Sequence, residues 1–100
     1  MASEFLEKMY KEFLEEFDNK TLSELIKDFN REVGNKGWAG IRGAYLMAMK
    51  DAFLKYEDLD SSSIIDKDKN GISLGRKIRL ENNVLVTEGE NFGGAAYSVE

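Results

Sequence analysis

The stretch Gly37-Trp38-Ala39-Gly40-Ile41-Arg42-Gly43-Ala44-Tyr45-Leu46-Met47-Ala48-Met49-Lys50-Asp51-Ala52-Phe53-Leu54-Lys55-Tyr56 decides how the rest of the chain is read. Trp38, Ile41, Tyr45, Met49, Phe53 and Tyr56 recur at three- and four-residue steps, which gathers them on one face of a helix. Leu46, Met47 and Leu54 add apolar surface off that face, and Ala44, Ala48 and Ala52 let neighbours approach closely. A helix apolar over more than one stripe is either central to its domain or shared with another chain. The spacing therefore predicts a central third helix over 38–56. Gly40 and Gly43 each weaken its first turn by roughly 1 kcal/mol relative to Ala. The helix accordingly starts somewhere between Trp38 and Gly43, or a backbone or ligand comes close to the glycines.

Toward the N-terminus, Ser3 can cap a first helix. Phe5, Leu6, Met9, Tyr10, Phe13, Leu14 and Phe17 make a double apolar row, with Glu7, Lys8, Lys11, Glu12, Glu15 and Glu16 opposite. The polar face is mostly acidic, whereas membrane-surface helices favour Lys and Arg, so the row reads as core packing. Thr21-Leu22-Ser23-Glu24 has the form of a capping box. Leu22, Leu25, Ile26, Phe29 and Val33 follow as the inward face of a second helix, and Gly34 stands where a left-handed C-terminal cap is wanted.

Toward the C-terminus, Glu57-Asp58-Leu59-Asp60 and three serines end the third helix. Ser63-Ile64-Ile65 reads as a short strand and Asp66–Gly71 as a turn. Ile72, Leu74, Ile78 and Leu80 sit at even positions around Gly75, which predicts one strand with a bend or bulge. Asn82-Asn83 suits a two-residue hairpin turn, because Asn tolerates positive φ. In that register Leu80 faces Leu85, Ile78 faces Thr87 and Arg79 faces Val86. Residues 1–88 thus read as a single α+β domain, a three-helix N-terminal bundle followed by a C-terminal β-hairpin or small antiparallel sheet. Residues 89–100 read as a Gly-rich tail, with a further strand placed at Ala95–Val99.

The totals fit this architecture. One hundred residues, 42% hydrophobic and 33% charged, make one domain with a modest core. No apolar run approaches the ~20 residues that cross a bilayer, and the first residues lack a signal-peptide pattern, so a cytoplasmic location and no membrane partner are expected. Without Cys there is no disulfide framework and no thiolate metal site. Without His the commonest general base and zinc ligand are missing as well. The expectation is a protein that is not an enzyme and carries no cofactor. Its net charge is −5, with two mildly basic segments, 34–56 and 71–81, in an acidic background.

Three motifs bear on function. Asp66-x-Asp68-x-Asn70-Gly71 matches the first half of an EF-hand loop, in which alternating oxygens and a Gly wrap an ion. Lys77 stands where the bidentate Glu belongs and Ser73 where the aliphatic residue belongs. A solvated turn is the simpler reading, with Asp66, Asp68 and Asn70 a candidate for weak calcium binding. Gly37-x-x-Gly40-x-x-Gly43 lacks the Lys-Ser/Thr of a phosphate loop and follows no strand. Third, the order of three helices and a hairpin is similar to the winged helix-turn-helix family. That resemblance implies helix three in the major groove, the 76–87 ribbon as the wing, and Lys36, Arg42, Lys50, Arg76, Lys77 and Arg79 on the nucleic acid. An acidic chain offering few phosphate contacts makes this the second reading.

The first reading is a protein-interaction domain that binds another protein or a second copy of itself. The exposed part of Trp38–Met49 is the expected contact, through Trp38, Ile41, Arg42, Tyr45, Leu46 and Met49. Small acidic Cys-free chains of this kind occur among bacterial and phage accessory proteins, an analogy of size and composition only.

Overall fold

Apolar periodicity and local capping set the helices of the computed structural model, which describes residues 4–35, 37 and 39–88. The double row of the first segment forms α1, Glu4–Asp18. Thr21 then restarts the chain: its side chain accepts from the Glu24 N–H at 3.1 Å, and its own N–H donates to the Glu24 carboxylate at 2.8 Å. That reciprocal capping box opens α2, Leu22–Glu32. Gly34 adopts φ +88°, as its position after α2 predicts, but its N–H donates to the Leu74 carbonyl at 3.1 Å instead of capping the helix. The residue that ends α2 therefore also fastens it to a segment forty residues away in sequence.

The third helix, α3, spans Gly40–Leu54, starting within the expected window and ending slightly before Tyr56. No side chain caps its start at Ala39. Gly37 and Gly40 have φ of +112° and +63°, and a Cβ at either would meet nothing within 4 Å. Glycine is needed there for backbone conformation; no close approach requires it.

β1, Lys77–Glu81, and β2, Val84–Glu88, form a two-stranded antiparallel sheet. The register is the one read from the sequence, with Leu80 opposite Leu85, Ile78 opposite Thr87 and Arg79 opposite Val86. Asn82 and Asn83 turn it at φ +51° and +65°. The strand expected to run from Ile72 to Leu80 is shorter than the even spacing suggested. Ile72 makes only an isolated antiparallel bridge to Ile65, and Ser63-Ile64-Ile65 is a turn ending in that bridge, not a strand. The reason is a change of hydrogen-bond partner. Ser73 donates to Ile64 and the Leu74 carbonyl accepts from Gly34, which draws this backbone out of line with β1.

Both outer edges of the hairpin are bracketed from elsewhere in the chain. The Asn30 side chain donates to the Ile78 carbonyl at 3.0 Å and accepts from the Ile78 N–H at 2.8 Å, so one amide replaces a neighbouring strand on β1. On β2, the Asp60 N–H donates to Asn83, the Leu85 N–H donates to Asp60, and the Ser63 hydroxyl donates to the Leu85 carbonyl.

α1 packs on α3, while α2 lies between α3 and β1. The core joins Phe29, Phe53, Leu46 and Met49 of the helices to Ile78 and Leu85 of the hairpin and to Ile64, Ile65, Ile72 and Leu74 of the irregular segment between them. Fully burying one such side chain contributes on the order of 1.5–3 kcal/mol. No helix among the described residues is long and apolar enough to cross a membrane. Ser3, Lys36, Trp38 and the 89–100 segment, including the strand expected at Ala95–Val99, lie outside the described residues.

Candidate functional site

α3 was expected to carry the contact surface, and its side chains divide sharply. Leu46 and Met49 are fully buried and cannot meet a partner of the folded chain, which corrects their place in that surface. The correction has a physical cause: the irregular segment 59–74 supplies four buried apolar side chains that absorb the surplus two helices and a ribbon leave uncovered. Tyr45 is half-buried between Phe13 and Phe17, with ring centroids 5.1 and 5.3 Å away, the first pair edge to face. Burial, with the carboxylates of Asp28 and Glu32 nearby, pushes its hydroxyl up to about 12. Ile41 alone of the described apolar members is open to solvent, at 47% exposure.

Arg42 is held. Its Nε and Nη2 donate to the same Glu32 oxygen at 3.2 and 3.0 Å, and its Nη1 donates to the Gly37 carbonyl. The guanidinium thereby closes the connection from α2 to α3 over its two left-handed glycines. Lys50 is buried; its ammonium donates to the Lys69 carbonyl at 2.8 Å and pairs with Asp51 at 3.6 Å. Arg79 lies between Glu81 at 2.6 Å and Glu88 at 3.2 Å. Three of the six cations proposed for nucleic acid are thus engaged within the fold. Arg76 and Lys77 are exposed and have no ion pair among the described residues.

The 66–71 turn is tied by its own groups. One Asp66 oxygen accepts from the Asn70 N–H at 3.2 Å, and the Asp66 carbonyl accepts from the Lys69 N–H at 3.0 Å. Among the described residues no three His, Cys, Asp or Glu side chains converge as a metal site would need. Beside this turn lies a cleft of about 540 Å³ between the end of α3 and the 59–69 segment. Leu54, Leu59 and Ile65 contribute its apolar lining, and Glu57, Asp60, Asp66, Lys67 and Lys69 its charged groups. The Asp60 carboxylate is turned onto the Ser62 hydroxyl and N–H at 2.6 and 3.0 Å, which holds it below the usual carboxylate range.

Two polar clusters escaped the sequence reading. Asp28, buried on α2, pairs with Lys20 at 2.5 Å and Arg31 at 3.3 Å. The Tyr10 hydroxyl on α1 donates to Asp51 on α3; burial first and that bond second push it up to about 12. One signal was available: Asp28 and Asn30 stand three and four residues after Leu25 and Ile26, on the face otherwise given to the core. Polar side chains in such places carry internal bonds, because an unpaired buried polar group costs on the order of 1–3 kcal/mol. No buried side-chain polar atom among the described residues lacks a partner. Comparison of the chain with protein-family models, with curated proteins and with solved structures finds no match for it.

Proposed function

We propose that this chain works by binding another protein, with the first turn of α3 as part of the contact. The observation that carries the reading is Ile41, an apolar side chain 47% exposed at one end of a helix otherwise largely withdrawn from water. Arg42 fixes the backbone beside it through Glu32 and the Gly37 carbonyl, so the surface is preorganised and little ordering cost falls on association. Leu46 and Met49 support it from the core and are not contacts.

The test combines light scattering with affinity capture using the full chain and an Ile41→Asp variant, whose substitution on an exposed site leaves the fold intact. A partner or a second copy retained by the parent chain and lost by the variant is the expected result. A strict monomer that holds nothing Ile41→Asp releases would remove the proposal. Duplex binding as a winged helix has less support, since Arg42, Lys50 and Arg79 are occupied internally. Retention of duplex at low salt, weakening steeply as salt rises and lost on Arg76→Ala, would reverse that order.

A further inference from the structure

The cleft beside the end of α3 continues past Tyr56. A second cleft of about 490 Å³ adjoins it, and the two share Tyr56, Glu57 and Leu59. Their linings differ. The first offers Leu54, Leu59 and Ile65 as apolar surface, while the second brings in Leu22, Asp58 and Asn83. Tyr56, common to both, is 37% exposed, a large aromatic side chain standing in water. Glu57 and Asp58 are exposed and make no ion pair among the described residues. The cation beside them, Lys55, is already committed to Asp18 at 2.7 Å. Lys67 and Lys69 line the first cleft and not the second. The second cleft is left with two unanswered negative charges beside an aromatic ring.

We propose that the two clefts together take an extended basic segment of another protein, with an apolar side chain in the first cleft and an arginine or lysine in the second. Charge complementarity selects this occupant. A cation over the Tyr56 ring meets the negative face of its π-system, and Glu57 and Asp58 beside it accept its hydrogen bonds. The apolar part of the same segment covers the half-buried Leu54 and Leu59. The net charge of −5 draws a basic partner from a distance and opposes a second copy of the chain or a nucleic acid. The acidic side of α1 supplies a contrast within the molecule. The groove along Glu4, Glu7, Lys8, Lys11, Glu12 and Glu15 is charged but has no apolar lining, so charge alone would draw a cation there as well. This surface is also separate from Ile41, which lies thirteen residues up α3 from Leu54, roughly 20 Å along the helix.

The experiment titrates the full chain with three hexapeptides and follows its amide signals by NMR. One peptide alternates arginine with leucine, the second glutamate with leucine, and the third arginine with serine. The arginine–leucine peptide is expected to shift the signals of Tyr56–Leu59 and Ser61–Ile65 saturably. The other two should bind at least ten-fold more weakly, one for want of a cation and the other for want of an apolar anchor. Glu57→Lys combined with Asp58→Lys should weaken the arginine–leucine peptide at least ten-fold, and Tyr56→Ala should weaken it less. Ile41→Asp should leave it unchanged, so failure of this surface is told apart from failure of the one at Ile41. No saturable shift at 56–65, equal affinity for the three peptides, or shifts concentrated on α1 would each overturn the proposal. The comparison of peptides on the parent chain decides independently should a variant fail to fold.

Discussion

α1 and α3 are the same length and pack on each other, yet they show opposite relations between pattern and place. α1 has a clean apolar stripe, but only Phe17 on it is fully buried, and Phe5 remains 57% exposed. In α3 the apolar residues spread around the helix, and Leu46, Ala48, Met49, Lys50, Ala52 and Phe53 are all buried. Sharp periodicity reports that a helix has one wet side; it does not measure how deep the other side lies. A blurred pattern of many apolar residues marks the element that others surround. The difference is physical: among the described elements α1 packs chiefly on α3, while α3 contacts α1 and α2 and shares a core with the segment that crosses back from Leu59 to Leu74.

The contrast can be broken most directly in the core. Leu46→Ala in α3 should destabilise by about 2–5 kcal/mol, because the cavity it leaves is closed on all sides. Phe5→Ala in α1, a larger truncation, should stay within about 0.5 kcal/mol. Denaturant midpoints measure both, and comparable losses would mean that α1 is as deeply held as α3. Asn30→Ala ranks next, at about 1–3 kcal/mol, since it strips both amide bonds from Ile78 and leaves its buried backbone groups unpaired. Chemical-shift changes along β1 would show whether that one side chain sets the edge.

A smaller effect comes from the bond that joins the two helices. Tyr10→Phe should cost about 1 kcal/mol and speed exchange in α1 more than in α3, since α1 loses its tie to Asp51. Alkaline titration sharpens the same point. Tyr10 and Tyr45 are held neutral up to about 12 in the folded chain, against an ordinary value of 10.0. Their contribution is complete below pH 10 and is lost as pH rises toward 12, because the unfolded chain releases those protons first. Tyrosinate absorbance followed alongside circular dichroism should show ionisation delayed in the native state, and Tyr10→Phe should remove part of the delay.

Much of the architecture was legible because its determinants are local. Thr21 and Glu24 need only each other to begin α2, and Asn82-Asn83 needs only its two positive φ values to fix the pairing of Leu80 with Leu85. The candidate contact was less legible. Leu46, Met49 and Ile41 share a helix and an apolar character, so spacing alone offered no way to separate core from surface. The stretch before β1 misled for a related reason: Ile72 and Leu74 fall in step with Ile78 and Leu80 as a strand would, but Gly34 and Ile64 take the backbone bonds that a ladder needs.

The amino-acid sequence alone determined where α2 begins, which residues turn the hairpin, and that 38–56 holds more apolar surface than one stripe needs. These follow from bonds and periodicities that close within a few residues. Only the tertiary structure decided that an irregular crossing covers that surplus, that Asn30 stands in for a strand, that Lys50 points inward, and that Ile41 stays in water. Each of those outcomes depends on a partner distant along the chain, and burial is a property of the pair rather than of the residue.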